Sequence, residues 1–231
     1  MYGFTLNNQV SSASLGLRLA APVAIPAAVR AVDDIEVEGR AGTLTRFTGW
    51  EDTEIELELA VPVRDGLHQY RQAAHELTGA QTITFTGEPG VYRKVKHCEV
   101  SELRRELSGW GFFTARLTCQ PFTYLDTGLT PVMLTGSGTI TNPGLIDAAP
   151  VITIHGTGLL TLTVNGSQCR VNSPAGQVTL DSGRLVAHVA GHVQSDALTG
   201  GFPTLKPGVN HLTLGTGITK AVIVQPNWRN P

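Results

Sequence analysis

The clearest pattern in the chain is the run "EIELELAV", in which Ile55, Leu57, Leu59 and Val61 alternate with Glu54, Glu56 and Glu58. A period of two puts the apolar set on one face of a strand and the glutamates on the other. The stretch therefore reads as a half-buried strand with an acidic outer face. Weaker alternation runs through "TITFT" at 82–86, "FFTARLTC" at 112–119, "VITIHG", "LLTLTVNG" and "AVIVQP". Turn residues punctuate these runs, and the 26 glycines and 13 prolines suit a chain of short strands and tight turns. "GEPG" at 87–90 predicts a hairpin turn. A helical period occurs near 63–78, where Val63, Leu67, Tyr70, Ala74 and Leu77 recur at steps of four and three. Asp65 is placed to cap that helix and Gly79 to end it. The expected fold class is mainly β with one helix.

Composition adds a division. Residues 1–126 hold 12 basic and 16 acidic side chains and twelve of the fourteen aromatics, whereas 127–231 hold 5 and 3, with only Phe202 and Trp228 aromatic. Such a shift predicts two domains, 1–126 and 127–231, meeting near the turn-rich "YLDTGLTP". The second part lacks a helical period and reads as a β-sandwich. A net charge of -2 gives no basic field for nucleic acid or an anionic membrane. Cys98, Cys119 and Cys169 stand singly, without the spacing of a zinc site or a disulfide framework, and read as buried thiols. Charged residues and prolines interrupt the first apolar run, so no signal peptide is expected, and no segment has the length of a membrane helix. Assembly in a reducing cytosol is the expectation.

Candidate chemistry is sparse. His188 and His192 lie four apart, but in a strand context that step spans roughly 13 Å, too far for a shared metal. His68 and His75 share a helical face at about 10 Å. "TGSGT" around Ser137 lacks the first glycine of a nucleophile elbow, and no phosphate-binding loop occurs. The "NGS" at 165–167 matches a glycosylation sequon that matters only on a secretory route. Neither catalysis, a metal nor a cofactor is expected. Two readings remain open from the residues: a carbohydrate-binding module, or a subunit that works by assembly. The stretch "GGFPTLKPGVNHLTL" (200–214) bears on both, because Pro207 and Gly208 suit the centre of a tight turn feeding a strand, with Phe202 as a core plug.

Several segments, in order, resemble the distal tail protein family (Dit) of long, flexible-tailed bacteriophages. They are "VEGRAGTLTRFTGWED" before the alternating strand; the single helix; "TCQPFTY" at 118–124, with Pro121 and Phe122; and "GTITNPGLIDAAPVITIHGTGLLTLTVNG". The final signature G-x-F-P-x-L-x-P-G-x-N, with Phe202, Pro203, Pro207 and Gly208, leads to "QPNWR" with Trp228. One departure is the turn Gly39-Arg40-Ala41-Gly42, which lacks an expected acid. The resemblance implies an N-terminal belt domain related to tail-tube proteins and a C-terminal galectin-like sandwich. It also implies a homohexameric ring between the last tail-tube ring and the tail-tip hub in the virion, carrying a receptor-binding protein in some phages. The chain looks like a short form without inserted carbohydrate-binding modules.

Three expectations follow for sites. Trp50, Tyr92, Trp110, Phe112 and Phe113 are candidates for the ring interface, being of the types enriched there. Glu54, Glu56 and Glu58 are candidates for an acidic lumen that lets DNA slide through, since residues 1–126 carry a net -4 per copy. The second domain, poor in aromatics and clustered polar groups, is not expected to bind sugar.

Overall fold

The structure is a computed structural model, and it describes residues 2–63, 67–106, 109–174, 176–189, 191–194 and 198–231. The chain is mainly β and divides into two compact units, residues 1–123 with Pro231, and residues 124–230.

Before and into the division run β1 (Phe4–Leu6), β2 (Val10–Ser11), β3 (Arg18–Leu19), β4 (Arg30–Ile35), β5 (Leu44–Trp50) and β6 (Thr53–Pro62). These are followed by α1 (His68–Thr78), β7 (Thr82–Phe85), β8 (Val91–Val100), β9 (Arg104–Arg105) and β10 (Trp110–Leu125). Among the described residues the main sheet has the order β2-β1-β7-β8-β10-β6-β3, with β9 also on β10. Its central pair is antiparallel, from Trp110 opposite Pro62 to Cys119 opposite Thr53. Ile55, Leu57, Leu59 and Val61 are sealed in the core while Glu54, Glu56 and Glu58 stay exposed, as the alternation requires. Each buried aliphatic side chain contributes about 1.5–3 kcal/mol. Strand β10 runs on past its last β6 partner, which is why Pro121 fits within it: no N–H is needed by that neighbour.

The helix begins at His68, later than the periodicity suggested, and Leu67 rather than a side-chain cap stands at its start. Asp65 lies outside the described residues. Ala73 and Leu77 are its buried positions, so the stripe passes through Ala73 instead of Ala74, while Val63 is buried just beyond the end of β6. The helix stops at Gly79 without left-handed backbone; the Gly79 N–H donates to the His75 carbonyl at 3.1 Å. "GEPG" does turn β7 into β8, and Glu88 within it holds the buried Arg93 at 2.6 Å.

Strands β4 and β5 form a separate two-stranded ribbon. Val32 opposes Phe47 and Ile35 opposes Leu44. A three-residue step along β4 separates these pairs, so they lie on opposite faces. Asp33–Arg46 at 2.8 Å and Thr45–Asp34 at 2.6 Å tie the strands together. At the tip, Gly39 and Gly42 take φ of +79° and +78°, the left-handed backbone that glycine tolerates.

After the division come β11 (Val132–Leu134), β12 (Gly138–Asn142), β13 (Val151–Gly156), β14 (Gly158–Val164), β15 (Ser167–Ser173) and β16 (Gln177–Asp181). Then follow β17 (Val186–Val189), β18 (His192–Val193), β19 (Leu198–Thr199), β20 (Gly208–Leu214), β21 (Ile218–Gln225) and β22 (Arg229–Asn230). Two sheets, β11-β21-β13-β16-β17-β18 and β12-β20-β14-β15-β19, turn apolar residues such as Ile152, Ile154, Val222, Leu160 and Leu162 into one shared core. Segment 200–214 forms a turn that feeds β20. Gly208 has φ +84° at the start of β20, and the buried Asn210 folds back over the turn. Pro203 is buried and Phe202 packs partly buried against the core.

Two expectations change here. His188 and His192 are not on one continuous strand: β17 and β18 pair as a hairpin, with His188 opposite Val193 and Val189 opposite His192. The two rings therefore leave on opposite faces, which replaces the distance along a strand as the reason they cannot share a metal. Ser137 has a structural partner, its Oγ accepting the Leu214 N–H at 3.0 Å.

Candidate assembly surface

The register of β6 and β10 builds one outward face. Thr114, Arg116 and Thr118 stand opposite Glu58, Glu56 and Glu54, and Phe112 and Trp110 continue the same parity toward Ala60 and Pro62. Arg116 Nη2 donates to Glu56 Oε2 at 3.0 Å. That bond, then the Glu56 charge, raises the guanidinium above its ordinary range, with Glu54 and Glu99 adding to it. His97 Nε2 lies 3.2 Å from Thr118 Oγ1. Both partners of the Arg116–Glu56 pair are about half exposed, so it adds little to stability. On this strand pair Glu54, Glu56 and Glu58 share the face with Arg116, and Arg18 of β3 joins it at the Trp110 end, so three carboxylates stand against two guanidinium groups.

The structure separates the five aromatic candidates. Tyr92 and Phe113 are buried, Phe113 edge-on to Tyr70 of α1 at 5.2 Å between ring centres. Their side chains are occupied by the core. Trp110 and Phe112 are half-buried on the acidic face, with the Arg18 guanidinium 5.0 Å from the Trp110 ring centre. Trp50 closes the base of the ribbon, edge-on to Phe47 at 5.9 Å and to Phe122 at 5.5 Å. Arg30 lies over both Phe47 and Trp50, at 5.5 Å and 5.6 Å.

Sequence reasoning missed the ribbon itself. Val32, Ile35, Leu44 and Phe47 are all exposed, and no alternation announces them because neither face of the ribbon rests on the core. Their signal was a pair of β-prone runs flanking the glycine-rich 39–42 turn.

In the second unit Trp228 is buried at 5% exposure, and the close approach of Gly128 to the Trp228 backbone leaves no room for a Cβ. Tyr124 is buried too, and burial raises its phenol pKa, with Arg229 opposing the shift. The described residues contain no cluster of His, Cys, Asp or Glu that could hold a metal ion.

No known family model matches the chain, and no curated protein matches it in sequence. In three dimensions it has the fold of phage adsorption-apparatus proteins. The Dit protein of phage SPP1, described as a paradigm of the hub adsorption apparatus in phages infecting Gram-positive hosts, superposes with a TM-score of 0.63 and 16% identity over 97% of both chains. A chain of the phage P2 baseplate in its activated conformation with calcium superposes with a TM-score of 0.50 and 8% identity, over 100% of this chain and 98% of that one.

Proposed function

We propose that this chain is a structural protein of the phage tail tip, a distal tail protein whose copies close into a hexameric ring. The observation that carries the reading is the likeness to SPP1 Dit along almost the whole of both chains, with both units included. In this reading the first unit is the belt, related to tail-tube proteins, and the second is a galectin-like sandwich. The ring joins the last tail-tube ring to the tail-tip hub and is assembled in the host cytoplasm. It offers a platform on which a receptor-binding protein can sit.

The acidic face of β6 and β10 supports the conduit role. Turned toward the bore, Glu54, Glu56 and Glu58 would repel phosphate and let DNA pass without sticking. Trp110 and Phe112, on the same face, would sit where neighbouring copies converge. A sugar-binding role for the second unit finds no support in its geometry: Trp228 and Tyr124 are enclosed and Phe202 is packed on the core, leaving no aromatic platform for a sugar ring. The work of the chain is mechanical rather than catalytic.

Electron microscopy of the purified chain tests this reading. Six-fold annular particles with an open bore are expected, with the three glutamates on the inner wall. A ring carrying them on its outer rim would remove the conduit argument, and particles with no ring would remove the function.

A further inference from the structure

The β4–β5 ribbon exposes Val29, Val32, Ile35, Val37, Leu44 and Phe47, each between 42% and 53%. Together these amount to on the order of 500 Å² of apolar surface, divided between the two faces of the ribbon. An isolated two-stranded ribbon is marginal in water. The apolar pairs Val32–Phe47 and Ile35–Leu44 face opposite ways, so a flat partner would cover only one of them. The cover has to be a cleft.

The same compact unit carries an apolar cleft. A groove of about 510 Å³ is lined by Tyr2, Leu19, Ala20, Ala21, Pro22 and Val23. Tyr2 forms a wall by stacking on Phe85, and the run Leu19–Val29 contains no charged residue. The groove's lining thus presents no ion of its own to a ribbon entering there; of the ribbon's charges Asp33 is paired with Arg46, and the Asp34 carboxylate accepts from the Thr45 hydroxyl.

We propose that the ribbon of one copy inserts into this groove of a second copy of the chain. Ribbon and groove are different surfaces of one unit, so the contact is heterologous and repeats around a ring until it closes. The ribbon's apolar area, with its polar margins, approaches the roughly 800 Å² per partner of a stable interface. Every copy supplies one of each, which a partner in unequal number would not. The contact deepens the ring reading and rests on it.

The test is native mass spectrometry of the full chain as wild type, as Phe47→Asp, as Pro22→Asp, and as an equal mixture of the two variants. Both positions are exposed, and unchanged circular dichroism and melting temperature confirm folding; Ala20→Asp gives a second groove variant. Each variant alone is expected to be monomeric. The mixture should form a 1:1 heterodimer and stop there, because one copy keeps a sound groove and the other a sound ribbon. A Phe47→Asp chain that assembles as wild type overturns the contact and leaves the ring standing, as does a mixture that fails to pair. A wild-type oligomer with a copy number other than six overturns the ring and leaves the contact to the mixing result. A monomeric wild type overturns both and assigns the ribbon to another protein.

Discussion

Asn210 holds Lys206 by both backbone groups: its Oδ1 accepts the Lys206 N–H at 2.8 Å and its Nδ2 donates to the Lys206 carbonyl at 2.8 Å. The same side chain donates to the Gly208 carbonyl and accepts from Asn165 Nδ2 at 2.7 Å. Replacing it by alanine leaves several buried polar groups without partners, each worth about 1–3 kcal/mol. Asn210→Ala is expected to lower stability by about 3 kcal/mol, read by urea unfolding. A loss below a few tenths would show that water replaces the clasp.

The glycines at 200 and 208 both have positive φ, +95° and +84°. A Cβ on Gly208 meets nothing within 4 Å, whereas one on Gly200 collides with the Gln168 carbonyl oxygen. Gly208→Ala should therefore cost only the backbone strain, about 1–2 kcal/mol. Gly200→Ala should cost clearly more, and equal melting temperatures for the two variants would contradict the packing described around β15.

Trp228 is predicted to be a structural anchor. Trp228→Ala should destabilise the chain by about 3–5 kcal/mol, the usual loss for a buried tryptophan. Glycan-array screening of the intact chain should give no binding. Millimolar or tighter sugar binding abolished by that substitution would favour an adhesin over the proposed adaptor.

Burial first, then charged neighbours, pushes the Cys98 and Cys119 thiols up to about 11 from an ordinary 9.0. Arg93 opposes the shift at Cys119. The fold thus keeps these protons at pH values where the unfolded chain has lost them. Their contribution to stability is complete below pH 9 and is lost as the pH rises from 9 to 11. Thiol reagents at pH 8 should react slowly with the native chain and rapidly after unfolding, and the Cys98→Ala/Cys119→Ala double variant should flatten the alkaline decline.

Legibility in the sequence followed the core. Strand β6 could be read because a one-sided hydrophobic burden imposes strict alternation, and the 87–90 and 207–208 turns because Pro and Gly carry their own dihedral preferences. The helix was visible, but a one-residue rotation decides between Ala73 and Ala74, and periodicity with one short helix does not resolve it. The His188–His192 hairpin was hidden because its turn carries little beyond one glycine. The ribbon escaped because its residues answer to no core in this chain. The buried clasp of Asn210 escaped because hydropathy treats asparagine as surface, although its position four residues after Lys206 is what lets it bridge the turn.

The central claim is that this chain works by closing into a ring of six. Native mass spectrometry of the full-length chain at micromolar concentration tests it most directly. The account predicts a dominant species of six copies that persists on dilution; a strictly monomeric spectrum across that range would contradict it.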